Sequence, residues 1–246
     1  IIGSERLEQS KETLQKMGFN LKIGKYVASR YGYFAGRDNE RAEDLMAMFA
    51  DTSVDAILIA QGGWGCARIL PYLDFEVIRS NPKPIIGFSD VTALLLAIHA
   101  KTGLVTYHGP NALSDWNEFT QKYFEEVLME GNQLLLPGAP ADEALPVNGR
   151  YTIAPGTATG PLVGGNLTVL SGMVGSDYLP SFSGKILFLE DIDEAVYRVD
   201  RMLTQLKLAG LLQNISGLVF AACRDCKPRN EEYNYSLKKM LKDQIV

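Results

Sequence analysis
The apolar run Pro84-Ile85-Ile86 passes directly into Gly87-Phe88-Ser89-Asp90 and then into the helix-like segment Val91 to Thr102. A strand that turns straight into a helix carries the chain back across the sheet before the next strand starts, which makes successive strands parallel. The same turn lifts a serine hydroxyl clear of the sheet, with the first amides of the helix beside it.

The flanking sequence repeats the alternation. Leu7, Leu14 and Met17 recur at helical spacing and Gly18 stops the run; Leu21-Lys22-Ile23 reads as a short strand. Asp38 or Asn39 is placed to cap a helix with Ala42, Leu45, Met46 and Phe49 on its apolar face, and Val54 to Ala60 follows as a buried strand. After the turn Gln61-Gly62-Gly63-Trp64-Gly65 come a short helix through Ile69, the strand ending at Phe88, its helix, and a strand over Leu104 to Tyr107. This βαβα order predicts an α/β fold with a parallel sheet covered on both faces.

From Leu134 to Gly165 prolines are scattered among Gly, Ala and Thr, the texture of a crossing between domains. We therefore expect an N-terminal domain over 1–133, a crossing over 134–165 and a smaller C-terminal domain over 166–246. In that second part Lys185 to Glu190 reads as a strand. Ala195, Val199, Met202, Leu203 and Leu206 line a helix that Gly210 stops; Leu218 to Ala221 is a further strand, and a Lys-rich helix starts near Ser236.

A net charge of -5 with no Lys/Arg-rich block argues against nucleic-acid binding, which depends on neutralising phosphates. The richest apolar run, Val91 to Ile98, is too short to span a bilayer, so a soluble protein without membrane partners is expected. The sequence opens at Ile1 without Met, which is compatible with a removed leader or first strand. Three cysteines make a disulfide scaffold an unfavoured reading and suit a reducing compartment. Cys223-Arg224-Asp225-Cys226 has redox or zinc spacing, but too few other Cys and His exist to complete a metal site, so two small side chains at a strand end is the preferred reading.

Ligands of open α/β sheets gather beyond the carboxyl ends of the strands. The Gly62-Gly63-Trp64-Gly65 turn, the Ser89 turn and Glu190 all fall there. A serine before a helix is ordinarily a cap. Paired glycines let amides approach a ligand as an oxyanion hole or phosphate cradle requires, and the absence of a following Lys-Ser/Thr disfavours the phosphate reading. Asp193 or Glu194 suits helix capping better than Glu190, whose place at the apolar end of a strand suits orienting an imidazole. His99, inside the apolar helix, reads as a core histidine; His108, after a strand, is the more plausible of the two near a site.

At these residues the chain resembles the LD-carboxypeptidase family of serine peptidases, which includes murein tetrapeptide carboxypeptidases and microcin C self-immunity proteins. The resemblance rests on five ordered blocks: Gly62 to Arg68, Gly87 to Thr92, Tyr107 to Pro110, Gly164 to Leu167 and Leu187 to Asp191, the last extended by Tyr197 and Asp200-Arg201. It implies Ser89 as nucleophile and Glu190 as the acid of a Ser-Glu-His triad. It further implies oxyanion binding by amides near Gly63 and of Asp90, and hydrolysis, without metal or organic cofactor, of the bond to a terminal D-alanine in a murein peptide.

The family likeness also implies an N-terminal domain similar to class I glutamine amidotransferases, a smaller C-terminal α/β domain, a homodimer and a cytoplasmic role in wall recycling. Two departures accompany it. The first strand usual in the family does not precede Ile2-Gly3-Ser4, and the triad histidine, expected well downstream of the acid, is not reached before Val246. On that reading the C-terminal domain is incomplete. Two alternatives are an amidase that cleaves a peptidyl-nucleotide toxin, with Trp64 stacking on a base or simply packing under a loop, and a muropeptide-binding protein without catalysis. Arg68 is one candidate for holding the substrate carboxylate.

Overall fold
The computed structural model describes residues 3–133, 151–227 and 236–245. The chain divides into two units, Ile1–Phe124 with Gly175–Pro180, and Glu125–Val174 with Ser181–Val246. Each is an α/β unit around its own three-stranded parallel sheet.

In the first unit the elements are α1 (Ser4–Lys16), α2 (Asp38–Ala50), β1 (Ile57–Leu58), α3 (Cys66–Ile69), α4 (Phe75–Ser80), β2 (Ile85–Gly87), α5 (Thr92–Thr102), β3 (Tyr107–His108) and α6 (Glu118–Phe124), with 3-10 turns over Leu70–Tyr72 and Ser89–Val91. Strand order is β1-β2-β3, with Ile57 opposite Ile85 and Gly87 opposite His108. β2 is central and buried throughout, and α5 is buried from Thr92 to Ile98, which is why its sequence is apolar all round rather than on one stripe. Gly103, in the left-handed region at φ +77°, ends α5, as Gly18 at φ +90° ends α1.

Four expectations for this unit are corrected. Leu21-Lys22-Ile23 is not a strand: it lies along a cavity of about 750 Å³ beside β1, and the chain turns just after it, with the Tyr26 amide donating to Asp44 Oδ2 at 2.7 Å. Neither Asp38 nor Asn39 caps α2. Arg37 is the cap, its amide donates to Glu40 Oε2 at 2.7 Å, and Asp38 is the first helical residue, free to pair with arginines. The expected strand over Val54 to Ala60 keeps strand geometry only at Ile57–Leu58. Finally, β3 starts at Tyr107 instead of Leu104, because Leu104 belongs to the turn after α5: its amide bonds Thr102 Oγ1 and its carbonyl bonds His99 Nδ1.

The second unit contains β4 (Leu162–Asn166), α7 (Leu167–Gly172), β5 (Ile186–Ile192), α8 (Val196–Leu208), β6 (Gly217–Arg224) and α9 (Leu237–Ile245). Strand order is β4-β5-β6. Of the stretch 134–165, residues 134–150 lie outside the described residues, and its end forms most of β4, a strand that glycine-rich Leu162-Val163-Gly164-Gly165 does not announce. Gly164 is obligatory there: at φ +140°, a Cβ would lie 1.8 Å from the Phe188 carbonyl oxygen of the neighbouring strand. α8 buries Val196, Val199, Met202, Leu203 and Leu206 on one face, and Gly210 ends it at φ +74°.

Cys223 and Cys226 correct another expectation. They form a disulfide across the turn after β6, where Asp225 takes a left-handed conformation at φ +58° and the Cys226 amide bonds the Cys223 carbonyl. Spacing alone does not distinguish a bonded pair from two small side chains; the left-handed residue between them is what brings the sulfurs together.

Candidate active site
Ser89 is the first residue of the 3-10 turn, and Phe88 occupies the cap position without a side-chain cap bond. The serine is therefore not a helix cap. Its backbone is left-handed at φ +65°, a conformation that costs a residue with a Cβ roughly 1–2 kcal/mol. Strain of this kind persists only where the surroundings over-determine it. Here Gly87 is one enforcer, since a Cβ on it would meet Val91 Cγ1 at 2.7 Å and Asn111 Oδ1 at 2.8 Å. Buried Asn111 is the other: its Oδ1 accepts from the Phe88 amide at 3.2 Å. The serine itself is half-buried and so remains reachable.

The glycine turn packs directly on this elbow. A Cβ at Gly62 would stand 3.0 Å from Ser89 Cβ and 3.3 Å from its Oγ, so only glycine lets the two turns touch. Gly63, the next residue, is at φ +119° with open space where a Cβ would project. Its amide nitrogen is bonded to the Gly62 carbonyl carbon, which keeps it near the serine. Trp64 is 61% exposed, so it does not pack under a loop.

The far end of the turn is anchored. Arg41 donates to the Gly65 carbonyl at 3.0 Å, and its guanidinium also pairs with Asp38. Arg68 makes a two-pronged contact with the same carboxylate, Nε and Nη2 donating to Oδ2 at 3.0 and 2.7 Å, and lies over the Phe34 ring at 4.8 Å. Arg68 foremost, and then Arg41, hold the Asp38 carboxyl below its ordinary pKa. The Arg68 candidate for substrate carboxylate is thus already committed to Asp38 and supports the turn.

In the second unit β5 runs through Glu190 to Ile192 instead of ending at Glu190. Its neighbour β6 is irregular at that level: Leu189 pairs with Phe220 but Asp191 with Cys223, so two residues of β6 oppose Glu190. Bulges of this sort re-aim side chains. Glu190 pairs with Asn166 across the sheet and is half-buried. Burial raises its pKa, a hydrogen bond from the Asn166 side chain opposes the shift, and the adjacent Asp191 charge adds to it. Asp191, 3% exposed, points to the other face and is saturated: Asn166 Nδ2, the Thr168 amide and Thr168 Oγ1 all donate to it at 2.8–3.1 Å. Glu194 pairs with Arg198 one helical turn on, at 3.5 Å.

The two histidines both lie in the first unit. His99 is tied through Nδ1 to the Leu104 carbonyl at 3.0 Å. His108 has an open side, but its ring sits 6.4 Å from Phe88 and loss of hydration lowers its pKa. Sequence reading gave Asn166 no role of its own, although it falls within the Gly164 to Leu167 block, and missed Asn111 and the β6 bulge; Asn111 stands just after Tyr107-His108-Gly109-Pro110, and only that neighbourhood marks it.

A strained serine between a parallel strand and a helix, packed on a glycine turn, has the geometry of a strand-to-helix elbow in an α/β protein. The chain belongs to the LD-carboxypeptidase family: the model of its N-terminal domain matches residues 2–109 and that of its C-terminal domain residues 159–246. It is 38% identical to a probable murein peptide carboxypeptidase of Bacillus subtilis, over 98% of this chain and 75% of that one. It is 31% identical to the microcin C7 self-immunity protein of Escherichia coli, over 89% of this chain and 71% of the relative. Among solved structures, a muramoyltetrapeptide carboxypeptidase from Oxalobacter formigenes superimposes with a TM-score of 0.82 at 29% identity, covering 98% of this chain and 80% of that one.

Proposed function
We propose that this chain is a serine-type LD-carboxypeptidase that hydrolyses the bond to the terminal D-alanine of murein tetrapeptides, in peptidoglycan recycling. The observation that carries the reading is Ser89, held at φ +65° on the β2–α5 turn against Gly62. The likeness to a probable murein peptide carboxypeptidase of Bacillus subtilis supports a murein peptide as substrate.

In this reading Ser89 Oγ attacks the carbonyl carbon and its proton passes to a base. The amides of Gly63 and Asp90 stabilise the oxyanion. The Asp90 amide suits this role because it precedes the first bond of the 3-10 turn, Val91 amide to Phe88 carbonyl. The C–N bond then breaks, D-alanine leaves with the proton on its amine, and water hydrolyses the remaining ester, returning the hydroxyl to Ser89.

Glu190 is the acid that orients the base. A poorly hydrated carboxylate gains more from an adjacent imidazolium than a fully hydrated one does. The family likeness puts that imidazole downstream of the acid; His99 and His108 both precede Glu190 and neither is assigned the role. No cofactor takes part in this reading. We further propose the finer points of the likeness: an amidotransferase-like N-terminal domain over 1–133, a crossing over 134–165, a C-terminal domain over 166–246, a homodimer, and a cytoplasmic location. Among the described residues no helix is long and apolar enough to cross a membrane.

Exposed Trp64 favours one second reading, an amidase acting on a peptidyl-nucleotide, because an open indole on the oxyanion turn can stack on a base. The full-length polypeptide carrying this sequence is assayed for D-alanine release from a murein tetrapeptide and for cleavage of a peptidyl-nucleotide. Faster release from the tetrapeptide, lost in Ser89→Ala, is expected. Tight tetrapeptide binding without turnover makes the protein a binder instead.

A further inference from the structure
Asp90 has a side chain that the reaction does not use. It is 2% exposed, and its Oδ2 accepts from the Cys66 backbone amide at 2.8 Å, the first amide of α3 and the residue that follows the glycine turn. Its Oδ1 has no hydrogen-bond partner among the described residues. Carboxylates are costly to bury, and one held only by the amide and the thiol of Cys66, with Oδ1 left over, is a poor choice for stability alone. A neutral side chain of similar size would fill the same space without that cost.

What the contact does is mechanical. Asp90 follows Ser89 on the elbow, and Cys66 closes the turn that contains Gly62 and Gly63. The bond therefore ties the turn bearing one oxyanion amide to the turn bearing the nucleophile and the other amide. Gly62 and Ser89 touch only through the space that a missing Cβ leaves, which brings the turns together but sets no register. On the opposite side Arg41 holds the Gly65 carbonyl. The glycine turn is thus fixed at its carboxyl end by a cation on its last carbonyl and by an anion on the next amide.

We propose that the Asp90 carboxylate is a positioning residue: by holding the Cys66 amide it sets the distance between the Gly63 and Asp90 amides on which transition-state stabilisation depends. The inference deepens the carboxypeptidase reading and rests on it. Side-chain substitution leaves the Asp90 amide in place, so a loss reports on geometry and not on a deleted donor.

The test compares Asp90→Ala, Asp90→Leu and Asp90→Asn in the full-length polypeptide, with D-alanine release and thermal unfolding as readouts. Asn retains an acceptor for the Cys66 amide; Leu fills the volume without one. Asp90→Ala and Asp90→Leu are expected to lower kcat roughly 10- to 100-fold, the effect of misplacing catalytic groups by a fraction of an ångström to one ångström, with KM within about twofold. Asp90→Asn is expected to recover most of kcat, and Asp90→Leu to unfold no earlier than wild type.

If Asp90→Ala does not fold, the Leu and Asn pair decides in the same way. Wild-type kcat in Asp90→Leu, or equal losses in Leu and Asn, overturns the inference. An active Ser89→Ala overturns the underlying reading instead, whatever the Asp90 variants do.

Discussion
Two strand-to-helix turns in this chain have the same topology and opposite energetics. At the end of β2, Ser89 is left-handed, half-open and not engaged as a helix cap. At the end of β4, Asn166 has an ordinary φ of -68°, is 5% exposed, caps α7 by accepting from the Val169 amide at 3.0 Å, and donates to Asp191. One turn stores strain and leaves a hydroxyl accessible; the other satisfies its polar atoms and stabilises the fold. In the proposed reading the contrast separates a polar residue kept for chemistry from one kept for structure, although both follow a glycine-containing strand end.

The largest expected effect is on rate. Ser89→Ala is expected to lower D-alanine release by roughly a thousandfold or more, the scale on which nucleophile deletions act. Activity near wild type would remove the distinction between the turns. Next, Glu190→Ala is expected to lower kcat by roughly a hundredfold or more. Glu194→Ala, which removes only a pairing with Arg198, is expected to stay close to wild type. Equal small losses in the two would contradict the placement of the acid.

Stability then inverts the comparison. Asn166→Ala removes a cap and one donor to buried Asp191, and is expected to cost about 1–2 kcal/mol in a urea unfolding series. Ser89→Gly, which relieves a left-handed residue of its Cβ, is expected to gain about 1 kcal/mol while abolishing turnover. A destabilised Ser89→Gly would show that the elbow holds no strain.

The smallest effect is in pH dependence. Because burial raises the Glu190 pKa above its ordinary 4.5, the folded protein holds a proton that the unfolded chain releases. Stability attributable to this group is present below 4.5 and lost as pH rises through the raised value. Glu190→Gln is therefore expected to unfold level with wild type at low pH and later than wild type at neutral pH. Asp38, whose pKa is lowered by Arg68, has the opposite sign: Asp38→Asn loses stability at neutral pH and draws level as pH falls through the lowered value.

Much of this contrast was legible in the order of residues, because it depends on local rules. The β2–Ser89–α5 progression, the Gly18 and Gly210 stops and the apolar face of α8 follow from periodicity and from the conformations glycine permits. What was not legible depends on distant partners. Leu21-Lys22-Ile23 carries a strand pattern but has no ladder to join. Asp38 has a capping side chain but is drawn away by Arg41 and Arg68, which come from one helical turn and from 30 residues away. β4 hides behind its glycines because the need for them is set by the Phe188 carbonyl on another strand. The β6 bulge opposite Glu190 is a property of register, which no single segment contains.

The central claim is that Ser89 carries the covalent step. The most direct measurement is acid quenching of the full-length polypeptide during turnover of a murein tetrapeptide, followed by intact-mass and peptide mass analysis. The account predicts an ester adduct with the mass of the tetrapeptide less D-alanine, on the peptide containing Ser89 and absent from Ser89→Ala. Steady turnover with Ser89 never modified, or an adduct on any other residue, would contradict it.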